Sequence, residues 1–128
     1  MRRILVWALI AVLCSPFFFV VDATDEPLGW VQIAGGFEDD VITGHITLDD
    51  GSLIVAGKFT SAALFEDIGL NSVGINGDTD AFIAKMNSSG NWTSAYNFGS
   101  HGDDGIDSIA LHPSGDLVVV GHFCLGTA

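Results

Sequence analysis

Acidic side chains carry most of the chemistry this sequence offers. Glu38-Asp39-Asp40, the alternation Asn76, Asp78, Asp80, and the set Asp103, Asp104, Asp107 each place oxygen donors beside glycines or turn residues. Clustered carboxylates suit calcium, which takes about six to eight oxygen ligands. Asp103, Asp104 and Asp107 are the candidate calcium set, since they sit in a Gly-flanked loop. The complete calcium-loop pattern is absent: no glycine follows Asp80 and no acidic residue closes the series. The competing reading is structural. Asp and Asn side chains accept backbone N–H groups in tight turns, and the recurrence of Asp39-Asp40 as Asp103-Asp104 suits that role.

Other chemistry is sparse. His45, His101, His112 and His122 lack metal-ligand spacing. No G-x-S-x-G nucleophile elbow occurs, so neither a catalytic set nor a cofactor beyond calcium is expected. Trp30, Trp92, Tyr96 and Phe98 suit a carbohydrate groove, but their recurring position favours packing between blades. Asn87-Ser88-Ser89 and Asn91-Trp92-Thr93 match the glycosylation acceptor pattern.

What positions these residues is a repeat. Asp39-Asp40 returns as Asp103-Asp104, Asp50-Gly51 as Ser114-Gly115, Gly57 as Gly121 and Phe59 as Phe123, each 64 positions on. A fixed offset through acidic, glycine and aromatic positions marks one structural unit used twice. The first unit spans about 35–98. The second starts near 99 and covers about half its expected length by Ala128, as expected of the front end of a longer protein.

Within the unit, Val41 to Leu48 has period-two character, with Ile42, Gly44, Ile46 and Leu48 expected on one side. Asp49 to Ser52 predicts a hairpin turn. Leu53 to Phe59 predicts a strand, and its unbroken Leu53-Ile54-Val55-Ala56 predicts burial on both faces. Residues 60–79 read as a long connection, with Phe65, Ile68, Leu70 and Val73 able to tuck under a sheet. Asp80 to Met86 and Trp92 to Phe98 predict two more strands, and Ile106 to Leu111 and Leu117 to Phe123 restart the cycle. Trp30 to Ala34 predicts a lone outer strand. Four short antiparallel strands per unit predict an all-β fold: a partial β-propeller with one nearly complete blade and a second begun.

At the N-terminus, Arg2-Arg3 precede an apolar run from Ile4 to Val21, with Val21-Asp22-Ala23 as a cleavage site. This predicts a signal peptide over 1–23, or a signal anchor through residues 4–21, followed by a linker over 24–29. Removing 1–23 leaves 15 acidic and 2 basic side chains, the latter Lys58 and Lys85. Such a surface repels nucleic acid and anionic lipid, so membrane contact is expected only through the N-terminal segment. Only Cys124 remains, expected as a buried thiol rather than part of a disulfide framework.

Trp30 to Gly36, Asp50-Gly51-Ser52-Leu53-Ile54-Val55-Ala56-Gly57, Phe59, Asp80-Ala81-Phe82-Ile83-Ala84-Lys85-Met86, Ser88-Ser89-Gly90-Asn91-Trp92 and Gly121 to Ala128 together resemble the bacterial beta-propeller repeat family known as SBBP. Departures are Ser52 and Asp116 for the usual Asn, Ile54 and Val118 for an aromatic, and Ser100-His101 in the second Gly-Gly. The resemblance implies a secreted or surface-attached, non-enzymatic scaffold with a protein or glycan partner, and supplies no catalytic residues. Two alternatives stand beside it: a propeller enzyme or carbohydrate-binding protein acting through other blades, and a calcium-stabilised adhesin.

Overall fold

The computed structural model describes residues 30–74 and 77–124. The signal segment, the linker over 24–29, Asn76 and the family-like residues 125–128 lie outside them. The described chain is all-β and antiparallel. Its strands are β1 (Asp40–Thr47), β2 (Leu53–Thr60), β3 (Ala62–Phe65), β4 (Ile68–Asn71), β5 (Thr79–Met86), β6 (Trp92–Phe98), β7 (Gly105–Leu111) and β8 (Leu117–His122). A four-stranded sheet runs β1-β2-β5-β6, while β3-β4 and β7-β8 are two-stranded sheets.

The turns joining β1 to β2, β5 to β6 and β7 to β8 share one geometry. Gly51 N–H donates to the Leu48 carbonyl, Gly90 to Asn87 and Gly115 to His112, at 2.9, 3.0 and 2.8 Å. Each of these glycines has φ between 79 and 91°, a left-handed conformation that costs glycine nothing. A polar pair two residues apart braces two of the loops. Ser52 Oγ donates to Asp50 at 2.5 Å, and Ser114 Oγ donates to Asp116 at 2.6 Å. The repeat thus keeps the pair and exchanges its members.

A β-bulge at Thr43 breaks the simple alternation of β1. The register steps from Ile42↔Gly57 to Gly44↔Ala56, leaving Thr43 as the extra residue. Ile42 therefore does not share a face with Gly44 and Ile46, correcting the expected sidedness. The bulge recurs 64 residues on, where Ile106↔Gly121 is followed by Ser108↔Val120. Gly57 and Gly121 face these bulges. A Cβ on either would overlap a carbonyl oxygen across the ladder, that of Val41 or Gly105. The glycine repeat is thereby explained by close backbone approach.

Strand β2 is buried on both faces, as its apolar run predicts. On one face Val55 and Phe59 join Phe82 and Ala84 of β5 beneath Ala63, Phe65 and Leu70 of the β3-β4 hairpin. Phe65 stacks edge-on against Trp92 with ring centres 4.9 Å apart. On the other face Ala56 and Ala81 pack against Ile106 of β7, with Ile83 and Ile109 alongside. The second unit thus stacks on the first.

Two expectations are corrected. The connection over 60–79 contains the β3-β4 hairpin, turned by Glu66 at φ 58°; Phe65 and Leu70 are buried in it, while Val73 stays exposed. Residues 30–34 form no strand. Gly35 alone exchanges backbone hydrogen bonds with Leu64, so the segment runs along the hairpin rather than the main sheet. The Trp30 ring instead covers the turn at Gly90.

Candidate functional site

The repeated carboxylates are structural clasps. In the first unit, Asp40 accepts the Gly36 N–H through one oxygen and the Thr60 N–H through the other, at 2.5 and 3.4 Å. In the second, Asp104 accepts the Ser100 and Cys124 N–H groups at 2.5 and 2.7 Å. All three positions move by 64. Each carboxylate ties the loop before a unit's first strand to the end of its second. Asp104 is fully buried, and charge-assisted bonds to backbone donors are what make such burial tolerable.

A second clasp joins the units. The Asp104 N–H donates to the Thr79 carbonyl at 2.7 Å, and Thr79 Oγ1 returns a bond to the Asp104 carbonyl at 3.0 Å. Asp103 accepts the Thr79 N–H at 3.2 Å, and Asp78 accepts the Gly102 N–H at 3.1 Å. Thr43 Oγ1, at the bulge, donates to the Ile106 carbonyl at 2.5 Å.

The candidate calcium set is therefore divided among separate duties. Asp103 holds Thr79 and Asp104 is engaged through both oxygens. Asp107 occupies the second bulge on the exposed surface, 3.4 Å from His122 Nδ1. Asp78 and Asp80 diverge as well. Asp80 is fully buried in its own sheet, where Oδ2 accepts the Val73 N–H and the Asn97 amide at 3.1 and 2.9 Å. Among the described residues no group of three or more His, Cys, Asp or Glu side chains could hold a metal ion.

The remaining candidates scatter. Asn87 Oδ1 caps its own turn through the Ser89 and Asn91 N–H groups. Cys124 is exposed, contrary to the expected buried thiol. Its counterpart Thr60 is flanked by β5 through Thr79, whereas no described strand flanks β8 on that side. Tyr96 and Phe98 project from the edge strand β6 and are exposed. Sequence reasoning missed the apolar cleft of about 230 Å³ between Ala34, Ile42, Phe59 and Phe65, bordered by Asp40. Its signal would have been the bulge, which turns Ile42 toward that side. The titration of Asp50 is perturbed. Hydrogen bonds from the Ser52 side chain and backbone, with a smaller contribution from nearby Lys85, hold the Asp50 carboxyl below its ordinary range.

The arrangement can bind backbone to backbone and unit to unit. Ser114 Oγ lies 2.6 Å from His112 Nδ1 and donates to Asp116 at 2.6 Å in the exposed β7-β8 turn, where the same His112 nitrogen accepts the Ser114 N–H at 3.2 Å. No protein-family model, curated protein or solved structure matches the chain.

Proposed function

We propose that this chain is a β-propeller repeat module of the SBBP type, secreted or held at the cell surface, and acting as a non-enzymatic scaffold for protein or glycan partners. One observation carries the reading: the clasp of Asp40 recurs at Asp104 with backbone donors at the same two positions of the unit. Carboxylates conserved between units for backbone bonding serve architecture. The four-stranded antiparallel meander, with the next unit stacked on its face, is the arrangement that blades adopt. The basic-apolar N-terminus supports the extracytoplasmic placement.

A reporter fused to the full chain tests the placement. Recovery outside the cytoplasm, accessible to added protease, is expected; cytoplasmic retention ends the secreted reading. Tyr96 and Phe98 favour a second reading. They are exposed on one face of an edge strand, where aromatic rings can stack on sugars. Glycan binding that vanishes in Tyr96→Ala while the melting temperature holds would establish the carbohydrate-binding alternative.

A further inference from the structure

The contact between the two units exposes its own unused halves. Ile106 is only 3% exposed because it lies on Ala56 and Ala81 of the first unit. Its counterpart 64 residues earlier, Ile42, is 59% exposed beside the apolar cleft. Conversely, Ala56 is fully buried under Ile106, while its own counterpart, Val120, is 62% exposed together with Val118. The first unit shows the surface that inserts; the second shows the surface that receives.

We infer that these two surfaces join copies of this chain head to tail, with Ile42 of one copy seated on Val120 of the next. The occupant is a second copy because the contact continues an interface the chain already makes with itself. Strand β7 lies chiefly over β1 and β2, and β7 and β8 reproduce those two strands, bulge included. One pair of differing side chains is matched. Within the chain Ile109 packs on Gly44, where a Cβ would be 3.1 Å from its side chain. Between copies the equivalent pair is His45 on Ser108, polar on polar. Some contacts are not copied: Asp107 stands where Thr43 donates to the Ile106 carbonyl, and the β5 share of the receiving face has no described equivalent. The joint between copies is therefore weaker than the joint within one. A heterologous contact of this kind extends into chains or closes into rings. The formal net charge of −12 opposes it, so salt promotes association.

Cysteine pairing in the full chain tests the geometry. With Cys14 and Cys124 replaced by Ser, Ile42→Cys and Val120→Cys are prepared separately and mixed at 0.3 M sodium chloride under mild oxidant. The mixture is expected to give a disulfide-linked dimer at least tenfold more abundant than either variant alone. The double variant is expected to give a ladder. Sedimentation supplies the second arm: Ile42→Lys and Val120→Lys alone stay monomeric, while their equimolar mixture stops at dimers, since each blocks one end. Both sites are exposed, and an unchanged melting temperature verifies the fold. Equal cross-linking in mixture and singles, or a monomeric parent chain up to high micromolar concentration, overturns the inference. Neither result bears on secretion or on the scaffold reading, which rest on other observations.

Discussion

At the scale of single residues, the paired clasps give a controlled comparison. Asp104 and Asp40 perform one task in different surroundings, the first fully buried and the second half-buried. Replacing a carboxylate by an amide keeps the shape but turns an –NH2 toward a backbone donor. An unsatisfied buried donor costs about 1–3 kcal/mol. Asp104→Asn is expected to lose about 2–3 kcal/mol in urea unfolding, and Asp40→Asn about half as much because water can reach it. Equal losses would mean that burial does not govern the clasp. Asp50 makes a different prediction. Its folded pKa is depressed, first by the Ser52 hydroxyl and then by the Ser52 N–H. A depressed carboxyl stabilises the fold above its unfolded pKa and ceases to do so as pH falls through the folded value. NMR titration should place Asp50 below the ordinary aspartate range, and Ser52→Ala should raise it. An Asp50 midpoint unmoved by Ser52→Ala would remove the hydroxyl from its role.

At the scale of elements, the bulge determines which glycines are irreplaceable. Gly57→Ala forces a Cβ onto the Val41 carbonyl in the centre of the main sheet. The ladder must separate, and a loss of more than about 2 kcal/mol is expected. Gly115→Ala is the control, since nothing lies within 4 Å of the added carbon. Only its left-handed φ of 91° is strained, worth about 1 kcal/mol. Comparable losses in the two variants would mean that close approach to the Val41 carbonyl does not fix Gly57. The same features explain what the sequence made legible. The bounds of β6 and the turns at Gly51, Gly90 and Gly115 were readable, because alternation and turn glycines are local signals. The β3-β4 hairpin was not. Its strands have four residues each, and Glu66 turns it in a conformation normally signalled by glycine or asparagine. The sidedness of β1 was lost to the bulge, whose one signal, Gly57 opposite it, acts across strands. The clasp was half legible: the recurrence of Asp39-Asp40 marked the place. Which member does the work depends on the loop four residues back and on the end of β2, a distance no local pattern spans.

At the scale of the whole molecule, charge is the dominant asymmetry. The chain carries 16 acidic and 4 basic side chains, so its folded surface repels itself. The carboxylates that bind backbone, Asp104 above all, act over hydrogen-bond distances in buried surroundings where salt screens little. The exposed ones, such as Asp49, Asp67 and Asp116, act through water over distances near the Debye length, about 10 Å at 0.1 M salt. Screening should therefore weaken repulsion more than it weakens the clasps. Raising sodium chloride from about 20 mM to 500 mM is expected to increase the melting temperature by several degrees. A fall would mean that exposed attractions outweigh the repulsion. The same titration decides the calcium question. Calcium and magnesium chloride at equal ionic strength screen alike, so general screening predicts equal shifts from the two salts. A calcium-specific increment, abolished by Asp103→Asn or Asp107→Asn, would instead require carboxylates now engaged in separate duties to converge on an ion, and would favour the calcium-stabilised adhesin over the scaffold.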